Sequence, residues 1–174
     1  LSKNENSSLD EIFKYLNEKK RASLMPFDPA IGSDERQFNS PGFNFPVGKV
    51  FRSNARSYTG LHNSNDNKKL MNIEMIKKSV NEIEKILKLH DHLLPIKRYM
   101  PYGELMLGKR NLITNIGYSG IGNAEKRNIL FNILSYADGY KNILEIAKLK
   151  RFDINKAIDV LDICVKLKLI KFIW

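Results

Sequence analysis

Apolar residues recur along this chain at helical spacing in some stretches and lose all period in others. Leu9, Ile12, Phe13 and Leu16 stand three or four apart, which places them on one face of a helix. Ser8 and Glu11 frame its start as a capping box, Ser8 accepting from the third helical N–H and Glu11 reaching back to the Ser8 N–H. The pattern predicts a helix over 8–20. A short strand is expected over 22–27, ended by the Asp28-Pro29 turn signal. Between 28 and 48 three Pro and three Gly among polar residues leave no regular helix. A long loop of that kind inside a compact domain is usually functional. A strand over 45–52 and a polar loop over 56–67 follow. Ile73, Ile76, Val80, Ile83 and Leu87 then form the clearest stripe in the chain, with Asn72 as N-cap and Lys and Glu on the other face. That helix is expected over 73–89.

The last fifty residues read as a second unit. Ile129, Leu130, Ile133, Leu134 and Ala137 make one helical stripe, closed by Asp138-Gly139. A short helix carries Ile143, Leu144, Ile146 and Ala147. A third, over 153–168, turns Ile154, Ala157, Ile158, Leu161, Cys164 and Val165 inward, and an apolar strand ends the chain over 169–174. Three helices and a strand are the order of a small winged helix, its second and third helices forming the helix-turn-helix pair. The stretch from 90 to 122, with two Pro and five Gly, reads as a linker that packs on something.

Composition narrows the class. At 43% apolar and 28% charged the chain can bury a core. It has no run of about 18 apolar residues, so no membrane-spanning helix is expected. Cys164 is alone, which excludes an internal disulfide framework and a Cys-rich zinc site and suggests a buried, inert thiol. The start has neither Met nor an apolar signal core, so a cytoplasmic chain is expected, its true start lost or the chain a piece of something longer. A net charge of +10 invites a nucleic-acid reading. Yet Lys, Asn and Ile make 58 of the 174 residues, the usage of an AT-rich genome, and the basic pairs are scattered. The expected recognition helix also carries Asp153, Asp159 and Asp162, where a helix in a major groove should be more uniformly basic.

Candidate chemistry is sparse. His90 and His92 lie two apart at a helix end, a spacing that suits a metal on a strand better than on a helix, so they read as surface residues. His62 stands in a polar loop with Asp66 four residues on. Asp34 and Glu35 are adjacent, so they cannot face each other across a substrate. Either they cap their loop and pair with Arg36, or one points into a cleft and orients a substrate amine. There is no phosphate loop, nucleophile elbow or His-Glu-x-x-His.

Three segments together resemble a known family. The run from Gly32 to Asn44 (GSDERQFNSPGFN), continued by Pro46-Val47-Gly48, is similar to the signature loop of a bacterial zinc aminopeptidase-like family with an inserted small domain and a C-terminal winged helix. Leu61-His62-Asn63-Ser64-Asn65-Asp66-Asn67 resembles its Tyr-His-Thr-Ser-x-Asp-Asn segment, with Leu61 and Asn63 replacing Tyr and Thr. Pro101 to Arg110 (PYGELMLGKR) resembles a third motif.

The resemblance implies a partial α/β aminopeptidase-like domain over 1–92, a linker packing on the domains over 93–122 and a small α+β winged-helix domain over 123–174. It implies that His62 is a zinc ligand, with Asp66 either behind it or capping the helix that follows, and that Glu35, Arg36 and Gln37 line a cleft for a peptide-like substrate. The catalytic base and remaining ligands are expected N-terminal to this chain. Zinc is therefore expected in the completed enzyme alone, and this chain by itself should be inactive. A complementary N-terminal chain or self-association is the expected partner, with a winged-helix module for nucleic acid or protein as the alternative function.

Overall fold

The computed structural model describes residues 1–53, 58–113 and 124–174. Two compact units divide the chain, Leu1–His90 and Asp91–Trp174.

Among the described residues the first unit holds three helices: α1 (Ser8–Glu18), α2 (Asp34–Phe38) and α3, which runs Ile73–Asp91 into the boundary. A capping box does open α1, one residue earlier than expected. Ser7 is the N-cap and Asp10 answers it. The reason is Asp10, whose buried carboxylate also takes the Ser2 N–H and hydroxyl, a set of donors that Glu11 does not gather. Asn72 caps α3, its side chain accepting from the Met75 N–H at 3.2 Å.

Two expectations need correction here. Residues 28–48 do contain a helix, because Asp34 to Phe38 is a run free of Pro and Gly between the Pro29/Gly32 and Pro41/Gly42 breakers. The segments 22–27 and 45–52 form no strand, so the described part of 1–90 is helical rather than α/β. A strand requires a neighbour that pairs its N–H and C=O groups in register, and among the described residues the contact is isolated, the Leu1 amino group donating to the Met25 carbonyl at 2.9 Å without a ladder beyond it. The stripe Ile73, Ile76, Val80, Ile83 and Leu87 faces outward, while Leu89 is the buried residue of α3.

The second unit has a dense core. Its helices are α4 (Ala124–Tyr136), α5 (Ile143–Lys150) and α6 (Ile154–Lys166). Asn142 and Glu145 cap α5 as a box, and Asp153 caps α6. Helix α6 packs against α4, α5 and the last strand, so its buried arc is wide. Val160 is fully buried within it and Val165 half-exposed, the reverse of the predicted stripe. Strand β1 (Ile96–Arg98) pairs antiparallel with β2 (Ile170–Phe172), Lys97 opposite Lys171, and its other edge bonds to residues 137–141. Part of the stretch read as a linker therefore belongs to this unit, and buried Leu107 and Leu112 follow it. Three residues are too short to show a period, so β1 was invisible in the pattern. The rest of that stretch, 114–122, and the start of the 56–67 loop lie outside the described residues.

Candidate functional site

The 28–49 loop is held from within by two buried polar side chains. Asn39 sits just after α2 and donates to the Glu35 and Val47 carbonyls, both at 2.7 Å, so it ties the helix to the returning segment of the loop. Lys3 adds a bond from its Nζ to the Asn39 carbonyl. The sequence motif did not single out Asn39, since its role depends on a partner eight residues away.

Glu35 is the other. Its side chain is 8% exposed, and Oε1 accepts from Lys49 Nζ at 2.8 Å and from the Ser33 N–H at 3.0 Å. Oε2 is buried and, among the described residues, has no hydrogen-bond partner. Burial by itself raises the carboxyl's pKa. The bonds from Lys49 and the Ser33 N–H and the charge of Lys49 outweigh it and hold Glu35 below its usual range. The expected ion pair of the loop is therefore made with Lys49 rather than with Arg36. Arg36 and Gln37 are exposed on the same short helix, and Arg36 donates from Nη1 to the Pro29 carbonyl at 3.3 Å. Gly32 lets this happen: a Cβ there would lie 2.4 Å from Arg36 Cγ and 2.9 Å from Glu35 Oε1.

An ionised carboxylate with an unused, buried oxygen is a strong acceptor awaiting a donor. An ammonium group suits it. The cation already beside it, Lys49, reaches the other oxygen and stacks its charge over Phe51 at 5.9 Å. Phe43 and Phe45 stack on each other at 6.0 Å and are exposed nearby in the chain.

His62 is exposed on a left-handed turn (φ 55°). Asp66, four residues on, accepts from the Tyr58 hydroxyl at 2.7 Å. The Asp66 bond, its charge and burial all raise the Tyr58 pKa, the hydrogen bond most. Tyr58 was not foreseen in the sequence reading. Among the described residues no three His, Cys, Asp or Glu side chains group to hold a metal ion. The other two histidines make local contacts: His90 Nε2 meets Ser8 Oγ at 3.0 Å, and His92 Nε2 meets Asp162 Oδ1 at 2.7 Å with its ring edge-on to Phe172. Cys164 is fully buried, which pushes its thiol up to about 12, so it stays protonated and unreactive at neutral pH.

No helix among the described residues is long and apolar enough to cross a membrane. A solved Clostridium acetobutylicum structure, provisionally described as a peptidase, matches 99% of this chain with a TM-score of 0.74 and 26% identity, within 37% of its own length. A curated protein of that organism, provisionally named for polysaccharide biosynthesis and an aminopeptidase-like domain, is 30% identical over 142 residues, 82% of this chain. The match covers 32% of that relative, so the chain spans about a third of the proteins it resembles. Residues 95–172 match the family described as winged helix-turn-helix. Residues 1–92 match the domain of unknown function DUF4910, and with more than half of its length in that match the chain belongs to the DUF4910 family.

Proposed function

We propose that residues 1–92 are the C-terminal part of an aminopeptidase-like hydrolase domain acting on peptide-like substrates, with the winged-helix unit used for packing or assembly. The observation that carries this reading is Glu35. An ordered loop buries its carboxylate, occupies one oxygen and leaves the other unused, in a chain whose relatives are named for peptidase-like domains. In this reading the loop that Glu35 orders from within lines the substrate cleft, with Arg36 and Gln37 exposed on it to contact the substrate.

Zinc is the metal this reading implies, and the residues present do not fit it by themselves. A catalytic zinc takes about three protein ligands, and His62 is one donor. The reading gives His62 a single place in a site completed from outside this chain, with Asp66 and its Tyr58 contact behind it. A complementary N-terminal portion is the partner it requires, and the chain alone is inactive.

Metal content after dialysis tests this on one residue. The isolated chain should lose zinc, because one or two ligands cannot replace the ion's hydration shell. Joined to the complementary portion it should retain zinc, and His62→Ala should abolish that retention while His90→Ala and His92→Ala leave it intact. Stoichiometric zinc on the isolated chain, or retention indifferent to His62, sinks the assignment.

A further inference from the structure

Helix α3 has one side that is partly buried and a second, apolar side that is exposed. At about 100° per residue, Met75, Ser79, Ile86 and Leu89 share a side, and these are its half-buried and buried positions. Ile73, Ile76, Val80, Ile83 and Leu87 share a second side, roughly 120° around the axis, and all five are between 46% and 68% exposed. Glu74, Lys77, Asn81, Glu84, Lys85 and Lys88 fill the remaining side, which is the one suited to water. Five aliphatic residues without a charge among them mark an interaction surface.

The rest of the unit indicates how large the partner is. Among the described residues, of 23 buried apolar ones only Ile12, Tyr15 and Leu89 lie in 1–90, whereas 16 of the 24 large exposed ones do. Phe43, Phe45, Val50 and Phe51 are among the exposed set. Two copies paired along α3 would cover its seam and leave those loop residues in water, so a domain-sized occupant fits better than a second copy. The solved relative supplies the dimension: it holds this fold in 37% of its chain and has nearly two thirds more to place.

We infer that the second face of α3 is the docking surface for the remaining portion of the aminopeptidase-like domain, packed through an apolar face of that portion. The identity of the occupant rests on the hydrolase reading; the surface itself rests on exposure and pattern. The probe is the part of the solved Clostridium acetobutylicum chain outside the match, co-expressed with this chain. The relative's own matching third serves as positive control. A one-to-one complex is expected. Ile76→Lys with Ile83→Lys should weaken it by about 100-fold or more, since each lysine would be desolvated in the contact. Glu84→Lys, on the polar side, should change it little. Both variants alter exposed positions, and circular dichroism of the free chain checks that α3 persists. The inference is overturned if the control pairs and this chain does not, or if the complex ignores the double substitution. It is equally overturned by a discrete dimer of this chain that Ile83→Lys dissociates, which would assign the face to a second copy. A complex that forms as expected yet neither retains zinc nor cleaves peptides would sink the hydrolase reading and leave the docking surface standing.

Discussion

Asp10 shows how much one carboxylate can organise. Its two oxygens accept from the backbone N–H and hydroxyl of both Ser2 and Ser7 while its own N–H donates to Ser7 Oγ. Burial raises its pKa, the four donors lower it more, and the result is about 2 against an ordinary 3.8. A depressed pKa contributes stability that is complete above the unfolded value and lost as pH falls through the folded one. Asp10→Asn should therefore cost roughly 2 kcal/mol at neutral pH, and the gap should close between pH 4 and 2. Urea midpoints of both proteins across that range measure it, and a gap independent of pH would refute the account. Gly32 is the second sensitive residue. Its missing Cβ is the space taken by Arg36 Cγ and Glu35 Oε1, and Glu35 cannot retreat without losing Lys49. Gly32→Ala should destabilise the loop by about 1–3 kcal/mol, seen as faster hydrogen exchange at the Asn39 and Phe45 amides, which bond within the loop.

At the scale of elements, caps and neighbours do the deciding. Helix α5 has only eight residues and needs its ends satisfied: Asn142 Oδ1 accepts from the Glu145 N–H at 2.9 Å, and Glu145 Oε2 accepts from the Asn142 N–H at 2.8 Å. Asn142→Ala should cost about 1 kcal/mol and lower the thermal midpoint of the winged-helix unit. No shift in that midpoint would mean that packing of Ile143, Leu144 and Ile146 holds the helix without its cap. The reading of 45–52 as a strand fails for the complementary reason. A strand is a property of two chain segments paired in register, and among the described residues this segment has no such ladder.

For the molecule as a whole, the charge of +10 is the feature most open to misreading. Helix α6, the recognition helix of the helix-turn-helix pair, exposes Asp159 and Asp162, the latter bonded to His92, while its Lys156 pairs with Glu125 at 2.6 Å. Little of its positive charge is free to meet phosphate. DNA binding should be weak, sequence-blind and steeply dependent on salt. Titration of a labelled duplex at low and physiological salt checks this, and a defined site held at nanomolar affinity in physiological salt would make the winged helix the working part of the protein.

The sequence by itself determined the helices of the C-terminal unit and its core, from Ile129 to Leu161. There the apolar stripes are long, the caps are local, and every buried face finds its partner within eighty residues of chain. It also singled out the 32–48 loop and His62 as candidates for chemistry, through motif resemblance rather than period. Only the tertiary structure decided that Glu35 turns to Lys49, that Asn39 ties the loop, that Asp66 meets Tyr58 and that Ile96 to Arg98 pairs with the chain's last strand. Each of these depends on residues brought together across the fold, which spacing does not encode. The same reason accounts for α3: an amphipathic pattern states that a face must be covered, and only the structure shows that nothing among the described residues covers it.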